Sequence, residues 1–225
     1  MTMPYTLYYA PDNASLCVRL MLLEIGAEFD TALVDRAKHG QRAPAYLALN
    51  PNGLIPTLQT PQGPIHETGA ILLWLSDTHD RALTAGHTRG DLLRWLFWLS
   101  NTLHPALRMH FYPQKYIDGA ATDMLGAATR RNLADHFAHL DAHADWLDDT
   151  SPSLLGCYAA PLIRWAALYG PDQAWFDIHN YPRLHAFAKR AETRPSAHQA
   201  AIAEGLGQTI FSAPSHPNPP QGSAT

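Results

Sequence analysis

The sequence predicts an α/β domain followed by an all-helical domain, and three observations carry that prediction. Strand-like and helix-like patterns alternate through the first third of the chain. A polar stretch at 76–89, broken by Gly86, then interrupts it, and beyond Asp91 only helical periodicity is found. The expected boundaries are 1–78 for the α/β domain, 90–212 for the helical domain and 213–225 for a disordered tail.

In the first domain, Tyr5 to Ala10 is rich in aromatic residues and runs into Pro11-Asp12-Asn13, the pattern of a strand ending in a loop. Ser15 opens a helix in which Leu16, Leu20 and Leu23 recur at helical spacing and Gly26 supplies the stop. A second strand follows from Phe29 to Val34, completing a βαβ unit. After a polar stretch from Asp35 to Arg42 and a short helical segment, Pro44 to Leu49, come the Ile55-Pro56 dipeptide, a turn at Pro61 to Pro64, strand Ile65-His66 and a helix from Thr68. This order, βαβ then ββα, is that of a thioredoxin-like domain.

The helical domain is read from its apolar stripes. Leu92, Leu93, Trp95, Leu96, Trp98 and Leu99 make a helix apolar almost all round, which Pro105 should kink or end. Leu133, Phe137, Leu140, Ala144 and Leu147 form one stripe of a long helix within Ala120 to Asp148. Pro161 to Tyr169 reads as a buried helix, with further helices over Tyr181 to Arg194 and Ser196 to Glu204. After Phe211 the chain is Pro-rich and poor in apolar residues, the composition of a segment that is disordered or draped over a surface.

The 225 residues carry a formal net charge of −4 with a pI near 6.3, so nothing favours nucleic acid or an anionic membrane. No apolar run approaches a membrane span, and MTMPYTLYYA lacks a charged segment followed by an apolar one, so a cytoplasmic location is expected. Cys17 and Cys157 are too few for a disulfide framework and are expected to be reduced. His136, His139 and His143 lie on one side of a helix without a nearby cysteine, which reads as a solvated face, and no metal is expected.

Chemistry concentrates between Asn50 and Leu73. Ile55-Pro56 lies between the turn Pro51-Asn52-Gly53 and a short strand, a position that tolerates a cis X-Pro bond. In that form the Ile55 backbone N–H and C=O turn outward and can pair with a peptide group. Glu67-Thr68-Gly69 then opens the next helix, with Thr68 as its expected N-cap. The helix N-terminus suits a carboxylate and Glu67 suits an ammonium. A peptide clamp beside a site for an α-amino acid head describes a receptor for a γ-glutamyl peptide.

NPNGLIPTL followed by HETGAILLWL resembles the glutathione-site core of the glutathione S-transferase superfamily, in which NPxGxVPxL leads to E-S-x-A-I. The run YPRLHAFAKRAETRPS is similar to that superfamily's penultimate helix. Ser15 to Arg19 matches the S-x-x-x-R pattern of its serine-type members, while YYAPDNASL resembles the bacterial beta-type YYSPGACSL, whose cysteine falls here on Ala14. One departure concerns the Ser/Thr-x-x-Asp box that usually starts the buried helix. CYAAPLIRW puts Pro161 where the Asp would lie.

The resemblance implies a glutathione-dependent transferase, a homodimer, acting on a small apolar electrophile. Glu67 and Thr68 would bind the γ-glutamyl head, and Ile55 with Pro56 the cysteinyl backbone, with Asn52 also among the glutathione contacts. Lys38, His39, Gln41 and Arg42 are candidates for the glycyl carboxylate, and His39 is taken forward. Ser15 would stabilise the thiolate, with Tyr8 as its rival, since the tyrosine-type pattern sets its tyrosine eleven residues before the same arginine. Beta-type relatives carry a histidine at the position of His104. With Arg108 and Tyr112 it is the expected second-substrate site. Other glutathione-dependent reactions on the scaffold, such as ether cleavage, dehalogenation, isomerisation or peroxide reduction, stay open, as does a binding or regulatory protein that does not activate the thiol.

Overall fold

The computed structural model describes residues 5–79, 83–84, 87–172 and 174–224. The break expected at Gly86 and the first and last residues of the chain lie outside these.

Strand β1 (Tyr5–Tyr9), helix α1 (Ser15–Glu24) and strand β2 (Phe29–Leu33) form the βαβ unit, with β1 and β2 parallel and Tyr5 opposite Phe29. A 3-10 turn at Gly40–Arg42 and the short helix α2 (Pro44–Leu47) lead to the antiparallel hairpin of β3 (Thr57–Thr60) and β4 (Gly63–His66). Helix α3 (Thr68–Thr78) follows, and the sheet order is β2-β1-β3-β4. β4 starts earlier than the turn chemistry suggests. Pro64 faces Gln59 on this edge strand, where a missing N–H is tolerated.

The second domain consists of α4 (Arg89–Trp98), α5 (His104–Phe111), α6 (Ala121–His143), α7 (Leu154–Leu168), α8 (Pro182–Glu192) and α9 (Pro195–Glu204). The thioredoxin-like order and the all-helical domain expected from the sequence are therefore both present. The stripe from Leu133 to Leu147 is fully buried, and no helix among the described residues is long and apolar enough to cross a membrane. His136 and His139 pack against Trp98, and His139 also meets Trp95 and His143. Cys17 and Cys157 are free and buried, and burial raises both thiol pKa values.

Both prolines that were read as boundaries lie inside continuous helical segments. Before Pro105 the chain widens into a π-helical stretch, Leu99–Leu103, which bridges α4 to α5 where Pro105 cannot donate a helical hydrogen bond. α7 begins at Leu154, well before the expected start at Pro161. Its cap is Ser153, whose hydroxyl accepts from the Gly156 N–H at 3.0 Å. Gly156 thus stands at the box position where the resemblance called for an acid, which corrects the assignment of that position to Pro161.

Of the two forms expected for the tail, disordered or draped over a surface, the structure shows the second: residues 213–224 lie across both domains. The Asn218 N–H donates to the Gly205 carbonyl at 2.8 Å, the Tyr169 and His216 rings lie 5.6 Å apart, and Arg36 donates to the Ala224 carbonyl.

A buried polar network joins the domains. Asp12 follows β1 with φ of 49°, a left-handed conformation that Asp tolerates better than most residues. Its carboxylate accepts from Arg164 Nε and Nη2, both at 2.9 Å, from Trp165 Nε1 at 2.8 Å and from the Tyr169 hydroxyl at 2.6 Å. Arg164 also donates to the carbonyls of Ile210 and Ser215, tying in the tail. The Asp12 N–H meets Glu204, which is held in turn by Arg19 at 2.7 Å. Neither side chain of the Asp12–Arg164 pair is exposed. Asp12→Ala leaves a buried guanidinium uncompensated and is expected to lower stability by about 3–5 kcal/mol in urea unfolding. A loss under about 1 kcal/mol would mean that the pair does not hold the domains together.

Candidate active site

A cleft of about 1060 Å³ runs between the two domains. Ile55, Pro56, Glu67 and Thr68 line its first-domain side, His104, Arg108 and Tyr112 its helical side, and Asp12, Trp165 and Tyr169 its floor. Seven of the residues singled out by sequence are thus gathered around one space.

The Ile55–Pro56 bond is cis. The loop before it is braced by Tyr46 and Asn50, which both donate to the Leu54 carbonyl, at 2.6 and 2.8 Å, and Asn50 also accepts from the Asn52 N–H. The Leu54 carbonyl is thus occupied internally, and Ile55 and Pro56 line the cleft beside it. Gly53, at φ of 59°, is needed in this turn. A Cβ there would lie 2.9 Å from both the Arg42 guanidinium and the Gln41 carbonyl, so the glycine lets Arg42 pass close over the turn toward the cleft.

α3 begins at Thr68 and Glu67 occupies the cap position, one residue earlier than the Thr68 cap expected. Glu67 has φ of 71° and ψ of 115°, a sparsely populated conformation for a residue with a Cβ. Such strain concentrates where a side chain is held for function. Asn52 does not itself line the cleft, but its amide donates to Glu67 Oε1 at 3.4 Å and so orients the carboxylate.

Three expected contacts are not met. The Ser15 side chain is fully buried. Its hydroxyl donates to the Ala10 carbonyl at 3.0 Å and accepts from the Ala10 N–H at 3.3 Å, so it fastens β1 to α1 and does not face the cleft. Tyr8 lies on the sheet face opposite buried Leu7 and Tyr9, with its ring 5.9 Å from that of Tyr46, because successive strand residues alternate faces. His39 is exposed in a left-handed turn away from the cleft, whereas Arg36, Gln41 and Arg42 line it.

Asn13 and Ala14 instead stand at the mouth of α1, where the helix presents its first N–H groups. Asn13 Oδ1 accepts from the Ala14 N–H at 2.9 Å. Sequence reasoning passed over Asn13, although a polar side chain at the junction of β1 and α1 was a usable signal. Across from it, His104 Nδ1 lies 3.0 Å from the Tyr158 hydroxyl, with its ring 5.7 Å from Trp165. Burial, and then the Arg108 charge, push the His104 pKa down to about 4. Burial raises that of Tyr158 well above the ordinary phenol range. Both are therefore neutral at pH 7. The neutral imidazole and the phenol share one hydrogen bond through Nδ1, which holds the ring in place at the cleft.

A model of the glutathione S-transferase N-terminal domain matches residues 14–78. Glutathione S-transferase GST-4.5 of Xanthomonas campestris is 27% identical over 208 residues, covering 89% of this chain and 98% of that protein. The disulfide-bond oxidoreductase YfcG of Escherichia coli is 27% identical over 214 residues, covering 89% and 96%. A sphingomonad glutathione S-transferase solved in complex with glutathione is 28% identical with a TM-score of 0.73, covering 90% of this chain and all of the other. The clamp, the α3 start and the two-domain architecture agree with these matches, which support a place in the glutathione S-transferase superfamily.

Proposed function

We propose that this protein activates the thiol of glutathione in the interdomain cleft for attack on an electrophilic carbon. The observation that carries the reading is that the peptide clamp at Ile55-Pro56, the acid and helix start at Glu67-Thr68, the α1 mouth at Asn13-Ala14 and the His104 imidazole all border one space.

Glu67 takes the γ-glutamyl ammonium, and the first N–H groups of α3 take its carboxylate. The Ile55 peptide pairs with the cysteinyl backbone. Arg42 and Gln41 meet the glycyl carboxylate in place of His39. The sulfur then lies toward Asn13, Ala14 and His104. N–H donors stabilise a thiolate far more than a thiol, so the thiol pKa falls. The thiol proton leaves to solvent, the thiolate forms a C–S bond and the displaced group departs with the electron pair of its bond to carbon. A cytoplasmic homodimer is part of this proposal.

A second reading, thiol–disulfide exchange, is favoured by two observations. Neither hydroxyl expected at the sulfur lines the cleft, since Ser15 is bonded to Ala10 and Tyr8 lies on the other face of β1, and a relative of similar extent is named a disulfide-bond oxidoreductase. Parallel assays of aryl halide conjugation and of disulfide reduction by glutathione separate the two.

Calorimetric titration of glutathione is expected to give about tenfold or greater weakening for Glu67→Gln, as a charge-assisted contact is lost. An unchanged affinity would remove Glu67 from the site. The thiolate absorbance of bound glutathione is expected to titrate below the free thiol in the wild type and to move back up in His104→Gln, while Ser15→Ala leaves it unmoved. A shift reverting in Ser15→Ala would return that role to the serine. His104 also has a signature in stability. Its folded pKa near 4 lies below the ordinary 6.5, so between these values the unfolded chain takes up a proton that the folded chain does not. Its contribution is present in full above pH 6.5 and is lost as pH falls toward 4. His104→Asn is expected to flatten that part of the stability profile measured by urea midpoints.

A further inference from the structure

The cleft carries more positive charge than one glutathione uses. Arg36, Arg42, Arg108 and Lys115 line it, against the carboxylates of Asp12 and Glu67. Asp12 is consumed by Arg164, and Glu67 stands at the start of α3, where it is oriented by Asn52. Among the described residues none of these four cations has an ion-pair partner.

Aromatic rings hold the cations without neutralising them. Lys115 Nζ lies 4.4 Å from the centroid of the Tyr112 ring and the Arg108 guanidinium 5.5 Å from that of Tyr116. Arg108 also donates to the Tyr116 hydroxyl, and Arg36 Nη2 donates to the Tyr112 hydroxyl at 3.2 Å. The Lys115 pKa is pushed down, first by burial and next by Arg108, with smaller contributions from Arg36 and Arg42. All three arginine charges thus act on Lys115.

A single glycyl carboxylate accounts for Arg42 and its neighbour Gln41 on the first-domain wall. Arg108 and Lys115 belong to the other wall, on α5 and on the 3-10 turn Pro113–Lys115 that follows it. We infer that the second substrate is itself anionic, an electrophile whose carboxylate or equivalent group is held by Arg108 and Lys115 while Phe111, Tyr112 and Tyr116 flank its flat or apolar part. The inference rests on the glutathione reading and narrows it, since an apolar electrophile alone would leave both cations facing the cleft without a counter-charge. A carboxylated aryl compound and the second half of glutathione disulfide share this chemistry.

The test uses equilibrium binding, so that it does not depend on turnover. Calorimetry compares the glutathione conjugate of a chlorodinitrobenzoate with the same conjugate esterified at the aryl carboxylate, and glutathione disulfide is titrated alongside. The wild type is expected to bind the carboxylated conjugate about tenfold more tightly than the ester, with the preference shrinking as salt is raised. In the double variant Arg108→Gln/Lys115→Gln the ratio is expected to fall toward one, and in Lys38→Gln, an exposed lysine outside the cleft, to persist. A loss of charge-dependent affinity confined to glutathione disulfide assigns the anion to a second glutathionyl group. Equal wild-type affinities for acid and ester, with no charge-dependent affinity for the disulfide, overturn the inference. So does an equal loss of both conjugates in the double variant, because the cations would then serve glutathione alone. Selective binding of the carboxylated conjugate without conjugation of either the acid or its ester leaves the inference standing and removes the transferase reading.

Discussion

The buried pair of Asp12 and Arg164 is the constraint on which the remaining structure depends. Taking both charges out of water costs several kcal/mol per ion, and only good geometry with further hydrogen bonds offsets that. Here the carboxylate has four donors and the guanidinium reaches three additional carbonyls, those of Leu206, Ile210 and Ser215. The arrangement works in one relative placement of the domains, because Asp12 comes from the end of β1, Arg164 from the middle of α7, and Ile210 and Ser215 from the chain beyond α9. A hydrophobic contact would tolerate sliding, whereas a bidentate ion pair does not.

The cleft inherits its form from that pair. Asp12, Trp165 and Tyr169 are its floor, so the residues that lock the domains also set the distance between the clamp wall and the helical wall. Asn13 and Ala14 follow Asp12 directly, which ties the α1 mouth to the same anchor. On the opposite wall, the π-helical stretch before Pro105 carries the chain through Ser100 and Asn101 to His104, all three bordering the cleft. A widened turn of this kind changes the direction of the side chains that follow it, and such turns recur at functional sites.

The two sides of the site are held differently. The clamp wall is local: Tyr46, Asn50, Gly53 and Asn52 all lie within a short span of Ile55 and Glu67 and brace them directly. The helical wall is assembled from α5, the Pro113–Lys115 turn, the loop after β2 and the draped tail, with Arg36 joining Tyr112 to Ala224. Rings orient its cations and leave their charge unspent.

What the sequence by itself determined is what short-range geometry determines. A proline after a glycine turn, an acid at a helix start and an apolar stripe at helical spacing each act within a few residues, so Ile55, Pro56, Glu67, Thr68 and the α6 core were legible, as was the domain order. Ser15 and Tyr8 were legible as residues near the sulfur in sequence but not as side chains pointing elsewhere. Which way a hydroxyl turns depends on the Ala10 peptide and on the face of the strand. Prolines inside α7 and in the first turn of α5 misled for a related reason, since packing against a full core outweighs the loss of one backbone hydrogen bond. The tertiary structure alone decided the Asp12–Arg164 lock, the path of the tail and the gathering of Arg36, Arg42, Arg108 and Lys115. Charges so far apart in sequence become neighbours only when a buried ion pair fixes how two domains meet.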